Sequence, residues 1–200
     1  MLDQRQRQIA RELRETGESG ALLLSELAPV ITVGRRTPRE DLLLGEAQLA
    51  RLGIERIATD RGGLATYHGP GQWVLFAVDR LERLTGDRRG VRLAVNALLG
   101  IAVKTAARFG VEASAREGAE LGVWSARGKI AALGVRVEQG ILLHGLSLNV
   151  RKTEQSFVGL RPCGLGTERA PVAFLEKDFE EVGKALTEIA LEDLWAIRSS

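Results

Sequence analysis

Apolar residues recur at helical spacing in three long stretches of the chain, and each stretch predicts an amphipathic helix. The stretches are residues 4–16, residues 91–109 and residues 179–195. Glycine follows the first two, in the position where it favours a helix end. The apolar stripe of the second predicted helix comprises Leu93, Ala97, Leu98, Ile101, Ala102 and Thr105. A shorter helical stretch after the basic loop at 35–39 is expected to stop at Gly53.

Apolar, β-branched runs between turn residues predict strands. They lie at residues 21–27, 30–34, 54–58, 73–78, 121–124, 129–138 and 141–150. The first is expected to be largely buried and 73–78 to be a central strand, while residues 138–140 give a hairpin turn between the last two. Strands and helices are interleaved early, and the late strands form a meander. The predicted class is therefore α/β (α+β), with a mixed or largely antiparallel sheet and packed helices.

The composition is that of an ordinary globular protein with an uneven charge distribution. A length of 200 residues, 44% of them apolar and 27% charged, favours a single domain covering residues 1–200. Residues 176–200 hold seven acids and three bases, net −4, so the rest of the chain holds +6 of the total of +2. That basic body could attract an acidic partner, or it could be a solvated surface of mixed charge.

Several function classes are not favoured by the sequence. The single cysteine excludes an internal disulfide, and no apolar run is long enough for a membrane span. Two histidines and one cysteine far apart do not have metal-ligand spacing, and no nucleotide-binding glycine motif or GxSxG elbow is present. Few aromatic residues accompany the basic ones, so single-stranded nucleic acid is a poor partner. Because the N-terminus lacks the apolar core of a signal peptide, we expect a cytoplasmic protein.

The stretch Arg61–Gln72, RGGLATYHGPGQ, concentrates four glycines with polar side chains. Glycines permit positive φ and close backbone approach, so polar groups among them can point into a cleft. The alternative is a tight surface turn between two strands.

A second glycine-rich segment holds Cys163, in the sequence RPCGLG. A nucleophilic thiol must ionise, and it is helped by a histidine or a nearby cation. The candidates for that help are His68, His144 and Lys129. A lone cysteine is more often a small buried hydrophobe, and a lone lysine is more often a solvated surface charge. Sequence spacing alone does not bring these groups together.

Four segments together resemble the lipoyl(octanoyl) transferase family. They are VITVGRR (Val30–Arg36), RGGLATYHGPGQ, GKIAALGVRV with HGLSLNV (Gly128–Val137 and His144–Val150), and PCG (Pro162–Gly164). The resemblance covers most of residues 20–165. It implies the catalytic module shared by biotin and lipoate protein ligases. It also implies an acyltransferase that moves an octanoyl group from acyl carrier protein to a lysine of a lipoyl domain, the first step of protein lipoylation.

The resemblance also implies residue roles. Cys163 takes the place of the acyl-thioester nucleophile, and Lys129 that of the lysine that lowers the pKa of the thiol or acts as a general base. The implied substrate-binding residues are Arg61, Gly62, Gly63, Leu64, Ala65, Thr66, Tyr67, His68, Ala132, Leu133, Gly134, Gly145, Leu146 and Ser147. His68 is expected to position substrate and not to act as the base. No metal and no cofactor are implied.

The implied partners are octanoyl-acyl carrier protein as donor, with lipoyl domains of 2-oxoacid dehydrogenase E2 subunits and the glycine-cleavage H protein as acceptors. Nucleic acid and membranes are not expected partners. The hypothetical docking groups for the acidic donor are Arg35, Arg36 and Arg39, or Arg88, Arg89 and Arg92. Two alternatives stay open: an ATP-dependent lipoate ligase of the same fold that would not need Cys163, and a non-catalytic acyl- or lipoyl-binding module.

Overall fold

A six-stranded antiparallel sheet is the centre of the computed structural model, which describes residues 2–18, 20–161 and 172–195. The strands are β1 (Ala21–Ser25), β2 (Val30–Val33), β3 (Glu55–Ala58), β4 (Thr66–His68), β5 (Gln72–Arg80), β6 (Ala113–Arg116), β7 (Gly122–Ser125), β8 (Gly128–Glu138) and β9 (Ile141–Asn149). The helices are α1 (Leu2–Thr16), α2 (Glu46–Arg51), α3 (Leu81–Thr85), α4 (Val91–Arg108) and α5 (Phe179–Trp195). The large sheet has the order β1-β5-β9-β8-β7-β6.

A second, smaller sheet has the order β3-β2-β4, with β2 parallel to β3 and antiparallel to β4. The two sheets confirm the predicted mixed, largely antiparallel architecture with packed helices. The hairpin turn between β8 and β9 is also confirmed. Gln139 and Gly140 both have positive φ, 51° and 77°, as a two-residue turn that follows the twist of its strands requires.

The two faces of the large sheet have different cover. Alternation along β5 turns Leu75 and Ala77 into the main core, where α4 and α5 pack. Val78, which points to the opposite face, packs instead against Ile9 and Leu13 of α1. The face that carries α1 is not covered by α4 and α5, so the small sheet and the loops pack on this side. None of the helices in the described part of the chain combines the length and apolar character that crossing a bilayer requires.

Two details of the sequence prediction are wrong. The predicted core residue Leu93 is 51% exposed, because α4 begins at Val91 and its core side passes through Ala94, Leu98 and Ile101. The first strand was expected to be largely buried, but every residue of β1 is half-buried. As the edge strand of the sheet, β1 pairs on one side only, with β5.

Two strands were not predicted at all. β6 is short and exposed, so it lacks an apolar run. β4 lies inside the stretch that was considered as a turn, and it pairs with β2 through Thr66, Tyr67 and His68. The Arg61–Gln72 stretch is therefore a loop, a short strand and a turn in succession.

Candidate active site

A cavity of about 860 Å³ lies between the large sheet, the small sheet and α1. Its floor consists of cross-strand rows on β5, β9 and β8: Phe76, Gly145 and Gly134 in one row, and Val74, Ser147 and Ala132 in the next. Directly opposed residues of antiparallel strands share a face. The small side chains of Ala132 and Ser147 leave space above the floor for a ligand. The cavity volume lies within the range of about 300–1,000 Å³ that is usual for small-molecule pockets.

Most of the predicted substrate-binding residues border this cavity. They are Arg61, Gly63, Leu64, Ala65, Thr66, His68, Ala132, Leu133, Gly134, Gly145, Leu146 and Ser147. Gly62 and Tyr67 do not border it. Strand alternation in β4 directs Thr66 and His68 to the cavity and Tyr67 away from it, into a small core with Ile31.

Arg61 holds the glycine-rich loop to the small sheet. Its buried guanidinium donates hydrogen bonds to the carbonyl oxygens of Leu64 (2.7 Å), Gly62 (3.1 Å) and Thr32 (2.8 Å), and also to the Thr32 hydroxyl. On the other side, a Cβ added to Gly134 would lie 2.9 Å from the Gly62 oxygen and 3.1 Å from Arg61 Cδ. The absence of a side chain at 134 thus lets the loop lie directly on β8.

A buried chain of hydrogen bonds joins the Arg61–Gln72 stretch to β8. His68 Nδ1 lies 2.6 Å from Gln72 Oε1, and Gln72 Nε2 donates to Asn149 Oδ1 at 2.7 Å. Asn149 Nδ2 in turn donates to the carbonyl oxygens of Ala173 (3.1 Å) and Lys129 (3.4 Å). Sequence reasoning missed the roles of Gln72 and Asn149, although both lie in segments that carry the family resemblance.

These hydrogen bonds determine which ring nitrogen of His68 carries the proton. Gln72 donates through Nε2, so its Oε1 is the acceptor and His68 Nδ1 carries the proton. Burial is the main cause that lowers the pKa of His68, to about 4, against the opposing hydrogen bond to Gln72. The ring is therefore neutral at neutral pH, in keeping with a positioning group.

Replacing Asn149 by leucine is expected to destabilise the fold by about 2–4 kcal/mol, because it removes the acceptor of one Gln72 amide N–H and the side-chain donor to the Ala173 carbonyl. The measurement is the free energy of unfolding in urea. The control is Asn96→Leu on the exposed side of α4, for which we expect a change within about 0.5 kcal/mol. Equal stability of Asn149→Leu and the wild type would show that this chain of hydrogen bonds does not stabilise the fold.

Lys129 is a buried lysine on the cavity wall, only 5% exposed. The interpretation of this residue as a solvated surface charge is therefore wrong. Its carbonyl accepts a hydrogen bond from Ala173 N–H at 2.9 Å, and Val172 forms a β-bridge with it. Val172, the first described residue after 162–171, therefore lies directly beside Lys129. Cys163 itself lies outside the described residues, as does the rest of the PCG motif.

The second histidine belongs to an ion-pair network between α1 and the sheet. His144 Nε2 lies 3.0 Å from Asp60, whose carboxylate also pairs with Arg7 and Arg136 at 2.5 Å each. Burial raises the pKa of Asp60, but hydrogen bonds from Arg7 and His144 outweigh it and bring it to about 2. Ligand atoms of Asp3, Asp60 and His144 lie within 4.8 Å of one another. Because two guanidiniums already balance the charge of Asp60, this cluster is better suited to clamping α1 than to binding a metal ion.

One protein-family model matches most of the chain. The model of the lipoyl protein ligase A/B catalytic domain matches residues 4–188. The chain therefore belongs to the lipoyl protein ligase A/B catalytic domain family.

Within this family, the chain is similar to proteins named as octanoyltransferases. The chain is 42% identical over 152 residues to an octanoyltransferase of Magnetococcus marinus, covering 76% of this chain and 66% of the relative. It is 39% identical over 155 residues to an octanoyltransferase of Maridesulfovibrio salexigens, with 78% and 71% covered. A third octanoyltransferase, from Solibacter usitatus, is 37% identical over 184 residues, with 91% and 82% covered. These relatives confirm the predicted resemblance to octanoyltransferases and the prediction of an acyltransferase.

Solved structures confirm the lipoate ligase part of the fold prediction. Lipoate-protein ligase A bound with ATP superposes with a TM-score of 0.71 at 16% identity, covering 94% of this chain and 80% of that chain. A bipartite lipoate protein ligase from Thermoplasma acidophilum gives 0.67 at 18% identity, covering 96% and 79%. At these identities the likeness concerns the fold alone.

Proposed function

We propose that this chain transfers an octanoyl group from acyl carrier protein to the acceptor lysine of lipoyl domains, through an acyl-thioester on Cys163. The observation that carries the proposal is the burial of Lys129 in the wall of the cavity. The chain is also related to octanoyltransferases. The acceptors are lipoyl domains of 2-oxoacid dehydrogenase E2 subunits and the glycine-cleavage H protein, and the reaction takes place in the cytoplasm.

The proposed reaction has two steps. The Cys163 thiolate attacks the carbonyl carbon of the donor thioester, and the carrier leaves as a thiolate. The neutral ε-amine of the acceptor lysine then attacks the Cys163 thioester, forming an amide and releasing the Cys163 thiolate, while a base takes the proton from the nitrogen. Lys129 as a cation favours the thiolate in the first step and gives its proton to the departing carrier thiolate. The neutral amine that results accepts the proton of the acceptor nitrogen in the second step.

The cavity supports the acyl half of this proposal. The floor between Val74 and Gly134 is largely apolar, so the octanoyl chain gains by leaving water there. The backbone of the Arg61–Leu64 loop, held by the Arg61 guanidinium, provides a rigid wall beside it. We propose that backbone N–H groups of this wall stabilise the developing oxyanion.

The test separates the transferase from an ATP-dependent ligase. The protein is incubated with octanoyl-acyl carrier protein and a lipoyl domain without ATP, and in parallel with free octanoate and ATP. We expect octanoylation of the lipoyl domain in the first mixture and none in the second, by intact mass. Octanoylation that requires ATP and the free acid would favour the ligase, and binding without transfer in either mixture would favour the non-catalytic module.

The position of the cavity supports one of the two arginine clusters as the docking site for an acidic carrier. Arg36 borders the cavity, and Arg35 and Arg39 are exposed near it in sequence. Arg88 and Arg89 lie just before α4 and Arg92 lies in its first turn, and α4 covers the opposite face of the large sheet. A donor whose thioester enters the cavity would therefore meet the first cluster.

Changing Arg35, Arg36 and Arg39 together to glutamate is expected to raise KM for octanoyl-acyl carrier protein about 10-fold or more at low salt, because like charges then face each other. The same change at Arg88, Arg89 and Arg92 is the charge-matched control, and we expect KM close to that of the wild type. The difference should shrink at high ionic strength. Equal KM values for the two triple variants would contradict docking at the first cluster.

A further inference from the structure

Two residues of β7 enclose the side chain of Lys129. Trp124 is paired with Lys129 across the β7–β8 ladder, and it is only 2% exposed. Its indole N–H donates to the Glu120 carbonyl at 2.8 Å, which fixes the plane of the ring. The Lys129 ammonium lies over this ring, with Nζ 5.6 Å from the centroid. An ammonium within about 6 Å of a tryptophan face is attracted by the negative potential of the ring.

Gly122 provides the second contact. A Cβ at this position would collide with Lys129 Cε and lie 3.1 Å from Nζ, and it would also lie 2.5 Å from the Ala131 oxygen. Gly122 has φ 147°, a conformation that residues with a side chain rarely adopt. The end of the lysine side chain therefore lies across a bare Cα.

We propose that Trp124 and Gly122 are positioning residues that hold the Lys129 amine at one place on the cavity wall. The inference rests on the proposed function, in which that amine acts on the Cys163 thiol. Lysine has a long flexible stem, and ordering it costs side-chain conformational entropy. A side chain already confined by a ring and a backbone loses less freedom in the reaction. A fixed cation also stabilises a thiolate better than one that spends time further away, since the interaction weakens with distance.

The test measures the ionisation of Cys163 directly, by the rate of alkylation with iodoacetamide across pH. Because the chain has a single cysteine, all alkylation of the thiol reports this residue. Trp124→Leu is expected to lower the rate at neutral pH about 10-fold, which corresponds to one unit in the pKa of the thiol. Trp124→Phe keeps an aromatic face, so we expect a rate close to that of the wild type. Gly122→Ala is expected to lower the rate in the same direction as Trp124→Leu.

Two further variants make the result specific. Trp73→Leu is the matched control, because Trp73 also donates its indole N–H to a carbonyl, that of Phe179 at 2.8 Å, but contacts α5 on the other face of the sheet. We expect no change in its alkylation profile. Lys129→Met is the positive control, with a decrease at least as large as that of Trp124→Leu.

The possible failures are distinguishable. A wild-type profile for Trp124→Leu together with slow alkylation of Lys129→Met would overturn the positioning role and leave the proposed function intact. Equal slowing in Trp73→Leu and Trp124→Leu would also overturn it, because the effect would then be general loosening. A wild-type profile for Lys129→Met would refute the role of Lys129 in the proposed function, and the inference with it.

Discussion

Cys163→Ala is expected to abolish octanoyl transfer, with turnover falling by about 10³-fold or more. Removing a covalent nucleophile forces the acceptor amine to attack the carrier thioester directly, without the intermediate that divides the reaction into two easier steps. Wild-type protein incubated with octanoyl-acyl carrier protein and no acceptor should gain the mass of one octanoyl group. The alanine variant should gain none.

The adduct should also have the chemistry of a thioester. Hydroxylamine at neutral pH cleaves thioesters and leaves amides intact, so the wild-type mass should return to its starting value. Addition of a lipoyl domain to the purified adduct should discharge it. An adduct that persists in Cys163→Ala, or one that resists hydroxylamine, would place the covalent step on another residue or remove it.

Lys129→Met is expected to lower the rate of transfer at neutral pH by about 10²–10⁴-fold, the range for a lost acid–base group. Methionine keeps much of the volume and apolar length of lysine, so the buried site stays filled while the charge is removed. Without a neighbouring cation the Cys163 thiol should ionise only near the usual pKa of about 8.5. The acylation rate of the variant should therefore recover as the pH rises through that value.

The control for this change is Lys104→Met. Lys104 lies on α4 and pairs with Asp193 of α5 at 2.6 Å, with most of its side chain exposed. The substitution is chemically identical and is remote from the cavity, so we expect full activity. A wild-type rate for Lys129→Met at neutral pH, or an equal loss in Lys104→Met, would contradict the assignment.

The Cys163→Ala variant also distinguishes the alternatives. A ligase that forms an acyl-adenylate would retain activity in Cys163→Ala, and a binding module would have no activity to lose. The structural likeness to lipoate-protein ligase A concerns the fold and does not decide between these chemistries. The thiol does decide, because only a transferase of the proposed kind passes through a cysteine adduct.

The sequence by itself determined the local elements and the family. Helical periodicity located α4 and α5, whose observed bounds differ little from the predicted ones, because the apolar repeat and the flanking residues are encoded locally. The same holds for the β8–β9 hairpin, where Gln139 and Gly140 form the turn. The glycine-rich segments became candidate functional segments through the family resemblance, because their residue types alone fit a surface turn equally well.

Only the tertiary structure decided which of these residues meet. Gln72 and Asn149 are separated by 77 positions, and no local pattern indicates their hydrogen bond. The burial of Lys129 and the direction of Tyr67, away from the cavity and into the small core with Ile31, likewise depend on which strands pair and which face each strand turns to the cavity. Contacts of this kind arise from the packing of distant segments, so a sequence pattern names the residues of a site without giving their arrangement.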